Sequence, residues 1–329
     1  MAGTQGDESW LRGGKGLLEG GGAAMIGLVL INVFWGASSI ATKEMLLQLS
    51  AVEIVTIRFA IALAAVLLIA LVFDRESLRV SLSDMPVLIF LSVAGVSLQF
   101  ILQVTALAYT TATNFSLLFN LSAFFIMLFG MAFLGERLDK KHLAGAGIAF
   151  AGVGLIVTGG SLDLAAAHLP GDLIGLASAA LFGIYTVAAK RASRQLRPLT
   201  ILVYTFFFGV LGLLPAYVFA TPMTPLTGLN AVSWASLLFL ALFCSVIAFL
   251  VYNYGMGRLR ASDAAMTIYV TPLAGVTLAV LLLGEALTAF TVAGAALIMA
   301  GLYATQARAR PADDDNRPRE HVRPDTRDG

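Results

Sequence analysis

Two stretches decide how this chain is read: Gly36-Ala-Ser-Ser-Ile-Ala-Thr-Lys43 and Gly183-Ile-Tyr-Thr-Val-Ala-Ala-Lys190. They align glycine on glycine and lysine on lysine at an offset of 147 residues. Farther along, Leu134-Gly135-Glu136 aligns with Leu283-Gly284-Glu285 at an offset of 149, and Gly145 and Gly152 fall on Gly294 and Gly301 at that same offset. Each match is weak alone in a chain rich in Gly, Ala and Leu. Their shared order and nearly constant offset identify an internal repeat.

The surroundings of these stretches are apolar. Of 329 residues, 58% are hydrophobic and 12% charged, about half the ~25% charge of a soluble domain. The mean hydropathy of +0.86 leaves too few polar residues to cover a water-facing surface. A soluble enzyme, a nucleic-acid binder and a disordered regulator are excluded. The single Cys244 forbids an intrachain disulfide, and His142, His168 and His321 are far apart in sequence. No metal site, cofactor or catalytic residue is expected. Gly13-Gly14-Lys15 fails as a phosphate loop, since Ser9 and Gly16 stand where Gly and Ser/Thr belong.

Crossing ~30 Å of hydrocarbon takes ~20 mostly apolar residues in a helix. Ten such runs are expected: 23–42, 51–73, 86–107, 111–133 and 142–160, then 171–191, 199–219, 231–253, 262–283 and 288–307. The chain therefore divides into a mobile tail 1–22, repeat 1 at 23–160, repeat 2 at 171–307 and a disordered tail 308–329. With ten spans, 19 of the 21 Lys and Arg fall on one side of the membrane. The positive-inside rule makes that side the cytoplasm and puts both termini there, in a plasma (bacterial inner) membrane.

Five spans per repeat is an odd number, so the second copy enters the membrane upside down. Inverted repeats recur in secondary transporters, with the substrate held near the midplane where the halves meet. The two five-helix repeats, the Gly-containing first helices ending in Lys43 and Lys190, and the Leu-Gly-Glu after each fourth helix resemble the EamA repeats of the drug/metabolite transporter superfamily. With Phe34-Trp35-Gly36 and little buried charge, the chain is most similar to the YddG-type exporters of aromatic amino acids. That resemblance implies an all-α membrane protein, ten helices around a central cavity, exporting amino acids or related metabolites. One departure is Pro272 where the first repeat has Ala123.

Polar residues within the spans are the site candidates. Asn32, Trp35 and Ser39 share one face of the first helix, and Gln99 and Gln103 stripe the third. Asn120, Tyr185, Ser245, Tyr252, Tyr269 and Thr271 complete a neutral, partly aromatic set suited to a small zwitterion, the alternative role being hydrogen bonds between helices. Lys43, Glu53, Arg58 and Glu285 are the candidate gate or coupling residues. Arg58 is expected near the outer interface or paired to Glu53, and Glu136 and Glu285 as caps of the helices that follow them. No carboxylate falls near the middle of a span, which favours facilitated export over obligatory proton antiport. The expected function is thus export of neutral amino acids by alternating access, by a monomer whose partners are a small solute and lipid. Transport of a drug-like cation, purine or nucleotide sugar, a channel, or a membrane-embedded enzyme are the alternatives.

Overall fold

The computed structural model describes residues 9–134, 140–158, 168–219, 224–256, 267 and 270–306, and no strand occurs among them. Their principal helices are α1 (Ser9–Leu46), α2 (Ala51–Phe73), α3 (Leu82–Tyr109), α4 (Ala112–Phe133) and α5 (Lys140–Thr158), then α6 (Leu169–Ala192), α7 (Pro198–Phe219), α8 (Ala231–Tyr252), α9 (Val270–Leu283) and α10 (Ala289–Gln306). Seven are long and apolar enough to cross a bilayer, while α5, α9 and α10 carry shorter apolar segments. Helical structure begins at Ser9, inside the stretch set apart above as a tail, although the apolar part of α1 starts at Gly22. The tail 308–329 lies outside the described residues.

Local sequence sets the helix starts. Ser50 and Glu53 form a capping box at α2, with each side chain bonded to the other's backbone N–H. Thr111 accepts from the Asn114 N–H at α4, and Asn230 from the Ser233 N–H at α8. Pro170 sits in the first turn of α6, where a missing N–H costs nothing. The outward surface is apolar: Leu281 is 72% and Leu68 63% exposed. Such a surface is stable only against lipid.

The repeat is visible in how helices touch. Gly152 of α5 lies so close to Gly294 of α10 that a Cβ would stand 2.5 Å from the Gly294 carbonyl oxygen. Gly301 lies equally tight on Gly145 and Ala149. These four glycines are the ones that align between repeats, so each contact is the other's image, as a two-fold axis between α5 and α10 requires. A second pair of contacts obeys the same operation. Gly36 of α1 packs on Ala274 and Gly275 of α9, and Gly183 of α6 packs on Phe125 and Ile126 of α4. Helix α2 faces its own counterpart α7, where Phe59 and Phe206 rings meet at 5.1 Å. Glycine at these crossings lets backbones approach where hydrocarbon gives no hydrophobic drive to associate.

Candidate functional site

Three helices lose regular α geometry part-way along. α3 passes through a π-helical segment at Val93–Ser97, and α8 through another at Phe239–Ile247. The two occupy corresponding positions in the two repeats. α4 breaks at Asn120–Leu121 and resumes at Ser122. Such irregularities shift the backbone pairing register, and in α8 the Cys244 carbonyl also accepts from a side chain of α1. The π register shows in the backbone, where the Ala248 N–H reaches the Phe243 carbonyl five residues back, and the Ser245 hydroxyl bonds the Leu240 carbonyl at 3.0 Å. In α3 the ring of Tyr185 lies directly on Gly95, filling the space that a Cβ would need.

Most of the polar residues singled out in the sequence gather around these segments. The Trp35 indole donates to the Cys244 carbonyl at 3.0 Å, and its ring lies 5.8 Å from Tyr252 and 6.2 Å from Phe249. Asn32 donates to the Thr267 hydroxyl and accepts from the Thr271 hydroxyl at 2.6 Å, tying α1 to the start of α9. Ser39 and Ser116 hydroxyls stand 3.3 Å apart, and the Asn120 amide bonds the Ser116 carbonyl beside the break in α4. Gln99 donates to Gln103 and to Ser178 of α6. In this conformation Asn32, Gln99 and Asn120 thus already have protein partners, as helix-to-helix bonding requires. Tyr269 lies outside the described residues.

The charged candidates divide differently. Gly284 turns the chain out of α9 with φ +66°, and the Glu285 N–H reaches back to the Ala279 carbonyl. This is a glycine-terminated helix end. The turn aims the Glu285 carboxylate at the start of α4, where it accepts from Ala112 N at 2.8 Å and Thr113 N at 2.9 Å. Its role is to cap a helix of the other repeat, not the one that follows it. Lys43 stands 3.8 Å away as its counter-ion. Glu53 completes its capping box and accepts from Thr224 N at 2.7 Å.

Arg58 turns into the protein, and among the described ion pairs none joins it to Glu53. It is 2% exposed, its Nε donates to Ser245 at 3.0 Å, and its guanidinium lies against Phe100 and Phe59. One acid escaped the sequence reading altogether. Asp172, in the first turn of α6, is fully buried and accepts from the Thr110 hydroxyl and the Asn114 amide. Glu53, Arg58 and Asp172 correct the expectation of little buried charge. The signal for Asp172 was its place within an apolar run, directly after Pro170-Gly171.

An all-helical chain with apolar outer faces, two-fold-related halves and irregular helices meeting between them has the build of a secondary transport protein. The chain belongs to the EamA-like transporter family, whose pattern matches it twice, at residues 22–158 and 169–306. This family lies within the drug/metabolite transporter superfamily. A transporter of Archaeoglobus fulgidus is 34% identical over 283 residues, covering 85% of this chain and 96% of its own. Bacillus subtilis YyaM, also named a transporter, is 26% identical over 84% of this chain and 90% of its own. An Escherichia coli protein named a probable amino-acid metabolite efflux pump is 29% identical over 57% of this chain and 65% of its own. One solved crystal structure superposes with a TM-score of 0.63 at 22% identity, covering 88% of this chain and 99% of that one. The likeness to it is one of fold. The chain is a membrane transporter, not an enzyme.

Proposed function

We propose that this transporter exports neutral amino acids, aromatic ones included, or closely related metabolites, by alternating access through ten spans with both termini in the cytoplasm. The observation that carries the reading is the pair of π-helical segments at matched positions in α3 and α8, the second containing Ser245, with Trp35, Tyr185 and Tyr252 beside them. Irregular backbone at equivalent points of two inverted halves supplies polar groups to a shared central site. Aromatic faces beside hydroxyls and amides suit an ammonium group and an apolar side chain. Relatives named as amino-acid exporters or efflux pumps point to the same solute class, at 28–30% identity over part of the chain.

In this topology the end holding Lys43, Glu53, Asp172 and Glu285 faces outward. There, Asp172 and Glu285 of repeat 2 both hold the α3–α4 corner of repeat 1. On this reading, opening outward parts that corner from Asp172 and Glu285, and these contacts act as the outer gate. The test is counterflow in proteoliposomes loaded with labelled tryptophan, phenylalanine, alanine or glutamate. Saturable exchange of the neutral amino acids is expected. Flux that rises linearly with concentration means a channel, and no movement of any amino acid removes the assignment.

A further inference from the structure

Arg58 has one feature that the transport reading does not use. Its Nη1 is sealed from solvent and has no hydrogen-bond partner among the described residues. Among the described residues no carboxylate pairs with it; the described ion pairs join Lys43 to Glu285 and Arg197 to Asp74 and Glu76. What surrounds the guanidinium is neutral: the Ser245 hydroxyl, Phe100 with its ring centre at 4.6 Å and Phe59 at 5.3 Å. Ring faces and one hydroxyl compensate a buried charge only in part. The offset that places Gly36 on Gly183 places Phe59 on Phe206 and Arg58 on Thr205, so the second repeat has no matching cation.

We propose that Arg58 is the anion-binding residue of the transport site, and that its ligand is the carboxylate of the transported solute. This rests on the transport reading and deepens it: among amino acids and related metabolites it selects solutes with a free carboxylate and names the residue that holds it. One uncompensated cation calls for one negative charge, which a carboxylate supplies and a divalent phosphate exceeds. A planar carboxylate also matches the guanidinium fork with two parallel bonds, one of them to the Nη1 that lacks a partner. The surroundings suit the rest of such a solute, since a continuous cluster of packed rings runs from Tyr252 and Trp35 through Phe249 and Phe206 to Phe59. Nη1 is sealed in the conformation described, so on this proposal the ligand reaches it only when the helices part.

The experiment measures thermal stabilisation of the purified full-length protein by sodium benzoate, sodium acetate, benzamide and sodium chloride at constant ionic strength. Benzoate and acetate are expected to stabilise saturably, benzamide and chloride not. Arg58→Gln, which can still bond Ser245, is expected to weaken benzoate at least about tenfold, with partial recovery in Arg58→Lys. If Arg58→Gln fails to fold, Ser245→Ala serves instead. It frees Nε, so it changes benzoate affinity severalfold without creating a response to benzamide. Equal stabilisation by benzoate and benzamide, equal stabilisation by chloride, or an unchanged benzoate response in Arg58→Gln and Ser245→Ala overturns the proposal. Arg58-dependent benzoate stabilisation without amino-acid counterflow overturns only the amino-acid reading. Counterflow with unchanged apparent affinity in Arg58→Gln overturns only this one.

Discussion

Replacing Gly152 by alanine tests the contact on which the two-fold relation rests. The added Cβ would lie 2.5 Å from the Gly294 carbonyl oxygen and 2.9 Å from the Ile298 nitrogen, both backbone atoms of α10. Ordinary contact begins near 3.4 Å, so α5 and α10 must separate by close to an ångström. Overpacking of this kind costs about 1–3 kcal/mol. Against it stands about 0.5–1 kcal/mol from replacing a flexible glycine in a helix. The net expectation is a loss of about 0–2.5 kcal/mol, centred on about 1 kcal/mol. Gly147 and Gly154 lie on the same helix with nothing within 4 Å of a Cβ, so alanine there retains only the gain. Melting of the solubilised protein, followed with a thiol dye on the buried Cys244, should rank Gly152→Ala below wild type and both controls at or above it. The double variant Gly152→Ala/Gly301→Ala should lose less than the two single losses together, because one separation relieves both contacts. A Gly152→Ala protein that melts with or above Gly147→Ala would refute the crossing.

The other predictions concern the charged ends and the centre. Glu285→Ala strips two N–H partners from the start of α4 and should cost about 2 kcal/mol, whereas Lys43→Ala, at 3.8 Å and partly solvated, should cost well under 1 kcal/mol; melting separates them. Asp172→Leu strands the buried Thr110 hydroxyl and Asn114 amide and should be destabilised by about 2–3 kcal/mol, with Asp172→Asn clearly milder. Trp35→Ala and Tyr252→Ala should reorder substrate preference in competition counterflow, while the exposed Arg194→Ala leaves the order unchanged. Arg197→Ala, whose partners Asp74 and Glu76 are solvent-facing, should leave the melting temperature unmoved at physiological salt.

Much of this architecture is legible in the residues because helix length in a membrane is written directly as apolar run length. The ends of α2, at 51 and 73, coincide with the hydropathy boundaries. The repeat is legible for a related reason: at helix crossings such as Gly152, Gly294 and Gly301 a side chain could not be added without moving backbone, so the crossings are marked by glycine in the sequence. The π-helical segments left no such trace. Phe239–Ile247 reads as an ordinary apolar stretch, since a register shift of the backbone bonds needs no particular side chain. Partner choice was equally hidden. The reach of Glu285 to Ala112 spans 173 residues, and only the fold decides that Arg58 turns inward to Ser245. Asp172 was missed because its bonds to Thr110 and Asn114 come from a sequence-distant corner that quiets its charge.

Only residues 284–288 separate α9 from α10, and each end of that bridge is committed. Gly284 supplies the turn, Thr288 accepts from the Thr291 N–H at the start of α10, and Glu285 reaches into the other repeat. A hairpin that looks like spare surface is therefore a fixed-length tie. An epitope or reporter spliced there would unseat the beginning of α4, a helix remote in sequence, and disable the protein without touching its centre.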